Sequence, residues 1–219
     1  AAEKTLSKDR RSLLLAMATG TGKTKTAIAL VYRLLKTRRF RRVLFLVDRN
    51  ALGEQAAGAF KDTRMENLQT FSDIFGLKEL GDRDPDPDTK VQIATIQAMV
   101  KRVLFAEPGE ELPPVDQYDC ILVDECHRGY LLDREMSDAE LAFRDFDDYV
   151  SKYRRVLGHF DAVKIGLTAT PALHTEQIFG APVFRYSYRE AVIDGQLVDH
   201  EPPIRVITAL SQTGIQYAI

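Results

Sequence analysis

The chain has 219 residues, 45% of them apolar and 28% charged, with a formal net charge of −2. That length suits one domain with its own core and no need of covalent staples, and the near-neutral charge excludes a protein that binds nucleic acid over its whole surface. No apolar run reaches the roughly 18 residues of a membrane-spanning helix, and the opening lacks the pattern of a signal peptide. The two cysteines, Cys120 and Cys126, suit a reducing cytoplasm rather than a disulfide framework.

Residues 1–8 read as the tail of a helix, so the chain is expected to be a segment of a longer protein. A strand is predicted over 12–17, followed by Met17-Ala18-Thr19-Gly20-Thr21-Gly22-Lys23-Thr24. Ala27, Ile28, Val31, Leu34 and Leu35 then recur at helical spacing, which predicts a helix to about residue 36. Strand, glycine loop and helix in that order are the context a phosphate-binding loop requires. Gly20 and Gly22 lack Cβ atoms, so the backbone can turn its N–H groups inward as an anion nest. The helix start at Lys23 adds its positive dipole end. In that role Lys23 reaches the β- and γ-phosphates and the Thr24 hydroxyl holds Mg²⁺. The general pattern places glycine at position 17; methionine there fits the variant found in helicase-type motors. The alternative is a plain strand-to-helix turn with a chance Lys-Thr.

A short all-apolar run over 43–47 is predicted as a strand covered on both faces, and residues 51–60 as a helix. Weaker predictions follow: a short strand at 67–70, a short helix at 72–78 and an acidic, proline-broken loop at 81–89. Next come a strand at 91–94, a helix at 96–105, a loop at 107–116 and a buried strand at 120–123. A charged helix, or two, spans 137–157, and another strand 163–167. The last part alternates less clearly, with a strand at 183–186, a helix at 189–194, a turn at Gly195 and a strand at 204–208. Strands alternating with helices imply an α/β fold with a mostly parallel sheet sandwiched between helices.

In such a sheet ligands lie beyond the carboxyl ends of the strands. Five predicted strands end there in polar residues: the glycine loop, Asp48-Arg49, Thr95 and Gln97, Asp124-Glu125, and Thr168-Ala169-Thr170. Asp124 can accept Mg²⁺-bound water, and Glu125 can orient and deprotonate an attacking water. The alternative is two acids capping a strand. Cys126 reads as a small core residue, and His127 as either structural or a sensor of the γ-phosphate or a neighbouring domain. Thr168 and Thr170 either link nucleotide state to something outside or close a turn on themselves. Arg49, Thr95 and Gln97 either contact the phosphates of a polynucleotide or are solvated and structural. Arg38, Arg39, Arg41 and Arg42 fall on the opposite edge and read as a solvated face or a contact with another domain. Pro85-Asp86 and Asp88-Thr89-Lys90 echo a metal-nuclease pattern, but both acids fall in one broken loop, so the echo is rejected.

The stretches MATGTGKT (17–24), VLFLVDRNA (43–51), ATIQ (94–97), YDCILVDECHRGY (118–130), GLTATP (166–171) and YREAVIDG (188–195) resemble the motor (R) subunit of type I restriction–modification enzymes. The resemblance covers almost the whole chain. It implies the first RecA-like P-loop NTPase lobe of a superfamily 2 translocase over residues 1–200, with 201–219 as connector or first strand of a second lobe. It further implies ATP and Mg²⁺ as cofactors, with Thr19, Gly20, Thr21, Gly22, Lys23 and Thr24 binding nucleotide. Thr24 and Asp124 serve the metal, while Lys23 and Glu125 are catalytic. His127, Thr168, Ala169 and Thr170 couple turnover to movement, and Arg49, Thr95 and Gln97 touch DNA. The partners implied are double-stranded DNA and the methyltransferase and specificity subunits, with no membrane. An adenine-reading glutamine is expected before Ala1, a second lobe with its arginine finger after Ile219, and the nuclease domain elsewhere in the protein. The alternatives are another superfamily 2 motor, for DNA repair or RNA, and a nucleotide-gated scaffold without turnover. The isolated fragment is expected to bind nucleotide weakly and turn it over poorly.

Overall fold

Alternate residues of each central strand feed two separate cores. Leu13 and Leu15 of β1 (Ser12–Met17) pack on one side of the sheet and Leu14 on the other. The same division holds for Val43, Phe45 and Val47 against Leu44 and Leu46 in β2 (Val43–Val47). It recurs for Cys120 and Leu122 against Ile121 and Val123 in β5 (Cys120–Val123). Strands apolar on both faces can only be interior strands covered by helices on each side. A computed structural model describes residues 1–48, 50–65, 69–80, 82, 84–107, 109–126 and 146–199, and it has that architecture.

Among the described residues the sheet has seven strands in the order β3-β4-β2-β5-β6-β1-β7. β3 is Gly76–Lys78, β4 Thr89–Thr95, β6 Val163–Thr168 and β7 Pro182–Tyr186. Every neighbouring pair is parallel, so all carboxyl ends share one rim. One face carries α1 (Ala2–Leu6), α2 (Lys23–Lys36) and α3 (Asn50–Asp62), whose Leu6, Val31, Leu34 and Phe60 are buried in its core. The other carries α5 (Ile96–Leu104) and α6 (Phe146–His159), whose Met99, Tyr153, Val156 and Leu157 form the second core.

The helix predicted over 72–78 is a correction. The chain makes one turn, α4 (Phe71–Ile74), and then extends into edge strand β3. Phe71 and Phe75 both turn inward, Phe71 against the Phe60 ring at a centroid distance of 4.8 Å. Gly76 then passes so close to the next strand that a Cβ would sit 2.7 Å from the Asp88 carbonyl oxygen. The spacing of the two phenylalanines suggests a helix, and the glycine between them and Lys78 decides for a strand. Of the segment predicted as strand at 67–70, residues 67 and 68 lie outside the described residues; Thr70 makes an isolated antiparallel bridge to Arg64. A helix not foreseen from sequence, α7 (Leu173–Phe179), follows β6, and α8 (Tyr188–Ile193) follows β7. Residues 137–145 of the charged helix and the strand at 204–208 lie outside the described residues. No described helix is long and apolar enough to cross a membrane.

The arginines at the opposite edge are another correction. Arg42 is half-buried and donates to the carbonyls of Thr89, Asp86, Pro87 and Gln117. Arg39 donates to Leu6 O at 2.6 Å, and Arg41 pairs with Asp119. Three of the four therefore tie loops of this lobe together rather than facing solvent alone.

Candidate nucleotide site

β1 ends at Met17 and α2 begins at Lys23, so residues 18–22 must reverse the chain over the rim. Gly20 and Gly22 do so at φ +84° and +80°, in the left-handed region that a Cβ disfavours. Thr21 braces the arc, its hydroxyl donating to Ala18 O at 2.6 Å. Thr19 and Gly20 are exposed at its crown. At the start of α2 no side chain caps the helix, and its first turn holds no acid. Its leading N–H groups and its positive dipole end thus have no capping side chain or acid of the helix's own.

β5 brings the carboxylates to this loop. Asp124 follows directly on Val123, its N–H donating to Leu46 O at 2.9 Å. Its Oδ2 accepts from the Thr24 hydroxyl at 3.3 Å, and its Oδ1 from the Glu125 N–H at 2.9 Å. Glu125 adopts φ +48°, a left-handed conformation uncommon for a residue with a side chain. That turn carries its carboxylate to 3.3 Å from the Lys23 ammonium, with the lysine side chain 6% exposed and the glutamate 18%. Lys23, Thr24, Asp124 and Glu125 thus form one cluster on the carboxyl rim.

Burial pushes the Asp124 carboxyl above the usual aspartate value, and the neighbouring Glu125 charge adds to this. A cation placed there would offset that penalty. No cluster of three or more His, Cys, Asp or Glu side chains that could hold a metal occurs among the described residues. The Thr24 hydroxyl and the Asp124 carboxylate, 3.3 Å apart, are the oxygen donors that an ion such as Mg²⁺ takes when it completes its shell with phosphates and water.

Cys126 is buried, as expected of a core residue, and its burial drives the thiol well above the ordinary range. Its N–H donates to Leu167 O at 2.9 Å. A Cβ on Gly166 would come within 3.0 Å of its sulfur. The carboxylate turn and the GLTATP stretch are therefore in direct contact. Thr168 is fully buried and its hydroxyl accepts from the Thr170 N–H at 3.1 Å, whereas Thr170 itself is exposed. Ala169, between them, is half-buried.

Thr95 is 6% exposed, and its hydroxyl caps α5 by accepting from the Ala98 N–H at 3.2 Å. Gln97 donates to Asp48 O at 2.8 Å. The two residues thus brace the rim next to position 49. Arg49 and His127 lie outside the described residues. Sequence reasoning missed Leu197, which lies against Gly20; the turn at Gly195 was its only signal. A groove of about 570 Å³ lies on the opposite rim. Its cations Arg41, Arg42 and Lys90 are balanced by Asp84, Asp116 and Asp119, so it does not compete as a phosphate site.

Residues 1–173 match the family described as type III restriction enzyme, res subunit. The chain belongs to that family. Within reach of this res-subunit domain is the type I restriction enzyme EcoKI endonuclease subunit of Escherichia coli K12. The two are 60% identical over 215 residues, 98% of this chain and 18% of the relative. A solved fragment of an HsdR subunit of a type I restriction enzyme from Vibrio vulnificus matches with a TM-score of 0.53 at 25% identity, over 89% of this chain and 30% of that one. The Hef helicase domain of Pyrococcus furiosus matches with a TM-score of 0.53 at 24% identity, over 84% of this chain and 36% of that one. These likenesses bear out the RecA-like α/β fold, with a sheet that is parallel throughout among the described residues. The chain spans less than a quarter of the length of the curated relatives it matches.

Proposed function

We propose that the chain is the ATP-binding motor lobe of the endonuclease subunit of a type I restriction–modification system. On this reading the whole protein uses hydrolysis of magnesium ATP to draw in double-stranded DNA. Cleavage belongs to a nuclease domain elsewhere in the protein, and the partners are the methyltransferase and specificity subunits in the cytoplasm. Residues 1–200 form the first lobe, and 201–219 lead to the second. The observation that carries the reading is the meeting of Lys23 and Thr24 with Glu125 and Asp124 on one rim.

Each residue has a distinct task. The N–H groups of residues 19–24 hold phosphate oxygens. Lys23 neutralises the terminal phosphates, leaving Glu125 as it does so. Thr24 and Asp124 would hold Mg²⁺, which when bound would offset negative charge on the phosphates. Glu125, released from Lys23, orients the attacking water and takes its proton. Cys126 and the Thr168–Thr170 turn carry the rearrangement of Glu125 into β6, and His127 takes part in the same coupling. Arg49 and Gln97 face the DNA backbone, and Thr95 holds Gln97 in place through the helix cap.

The test is Glu125→Gln in the complete protein, assayed for ATP binding and for hydrolysis with and without DNA. The proposal expects binding to persist and hydrolysis to fall by about 10²-fold or more, the contribution typical of a general base. A variant that hydrolyses ATP like the parent contradicts it, and so does stimulation of the parent by RNA but not by double-stranded DNA.

A further inference from the structure

One apolar contact touches the phosphate loop from outside the cluster already described. Residues 194–199 leave α8 and cross over the loop. Ile193 at the end of α8 and Val198 in this stretch are 73% and 88% exposed, while Leu197 between them is half-buried. A Cβ built on Gly20 would come within 3.1 Å of Leu197 Cδ2. The leucine therefore takes up part of the space that a side chain at position 20 would need and touches one side of the loop's crown, which stays exposed at Thr19 and Gly20.

The crossing segment is held firmly. Ser187 and Glu190 form a capping box at the start of α8. At its end the Gln196 and Leu197 N–H groups both donate to Ala191 O, at 2.8 and 3.1 Å. The Tyr188 hydroxyl donates to Val198 O at 2.7 Å, and the Tyr186 hydroxyl to Asp194 at 2.9 Å. At the other end the Ala18 N–H donates to Tyr186 O at 2.9 Å. Residues 182–199 are thus fastened to the phosphate loop twice, at its root through Ala18 and at its crown through Leu197.

We propose that Leu197 is a positioning residue for the phosphate loop, and that residues 182–199 form a strap that senses whether the loop holds phosphate. The inference rests on the nucleotide-site reading given above. An anion nest works only when its N–H groups converge, and Gly20 is one of the two glycines that give the arc its backbone freedom. Leu197 beside it limits that freedom before nucleotide arrives, which favours binding by preorganisation. Linkage makes the effect reciprocal: whatever moves the strap changes nucleotide affinity, and nucleotide stabilises the strap by the same factor.

Amide hydrogen exchange at residues 196 and 197, with magnesium ATP titrated against the chain, tests this directly. Saturating magnesium ATP is expected to slow exchange of both amides. Leu197→Ala is expected to weaken magnesium ATP binding by about tenfold and to remove the slowing even at saturation, and Leu197→Met to restore both. Unchanged exchange in the parent at saturation overturns the strap while leaving the site intact, as does a Leu197→Ala chain with parental affinity and response. If the parent binds no magnesium ATP and is indistinguishable from Lys23→Ala, the site reading and the strap fall together.

Discussion

The Glu125 carboxylate lies 3.3 Å from the Lys23 ammonium, and on the function proposed above a nucleotide's terminal phosphates come between them. Both side chains are largely buried, so each charge depends on the other. Breaking a buried pair by removing one partner leaves the second uncompensated, at about 3–5 kcal/mol. Lys23→Ala should therefore destabilise the nucleotide-free chain as well as weaken nucleotide binding. A urea unfolding midpoint that falls in Lys23→Ala, and falls less in the double variant with Glu125→Gln, would bear this out. Midpoints equal to the parent in both would argue against a mutual dependence.

Asp124 predicts a pH dependence. Its carboxyl is held above the ordinary aspartate value of 3.8, chiefly by burial. The folded chain therefore keeps this proton to a higher pH than the unfolded chain. The native state binds more protons across that window, so stability falls as pH rises from 3.8 through the raised value. Asp124→Asn should abolish this part of the slope and melt higher than the parent at neutral pH without metal. Melting curves from pH 3 to 8 in ATP, with and without Mg²⁺, check it, the parent alone being expected to gain from the added metal.

Gly166 and Cys126 predict a coupling between the carboxylate turn and β6. A methyl at position 166 would press on the Cys126 sulfur and on the Phe179 ring, each at 3.0 Å. Overpacking of this kind usually destabilises by about 1–3 kcal/mol. Gly166→Ala should fall in that range, and adding Cys126→Ala should recover part of it. A double-mutant cycle in unfolding free energy measures the coupling; strict additivity would deny the contact.

Tyr118 predicts alkaline behaviour. It is fully buried, its hydroxyl donates to Gln92 Oε1 at 2.5 Å, and burial pushes its pKa up to about 12. The unfolded chain ionises near 10 while the folded chain keeps the proton, so stability from this group is lost as pH rises from 10 to 12. Tyr118→Phe should flatten that loss. At neutral pH it should cost about 1–3 kcal/mol, since Gln92 loses a buried donor. Denaturant unfolding at pH 7, 10 and 11.5 separates the two effects.

Much of the sheet is visible in the chain because its central strands are apolar on both faces. Runs such as Val43–Val47 and Cys120–Val123 can hardly be anything else in a covered parallel sheet. The loop at 17–24 is legible because glycine, lysine and threonine each do something no other residue does there. The boundary of β3 is not, because periodicity at 71–75 favours a helix and the decision rests on how closely Gly76 approaches Asp88. Arg42 shows the same limit: a cluster of arginines looks solvated until the carbonyls around it are known. Leu197 is an ordinary leucine in sequence, and only the path of the chain after α8 brings it to Gly20.

Calorimetric titration of magnesium ATP into the chain, into Lys23→Ala and into Asp124→Asn tests the four-residue cluster most directly. The account predicts that the parent binds, that Lys23→Ala loses about tenfold or more in affinity, and that Asp124→Asn retains binding but loses its dependence on Mg²⁺. Equal affinities in all three, with the same response to Mg²⁺, would contradict it.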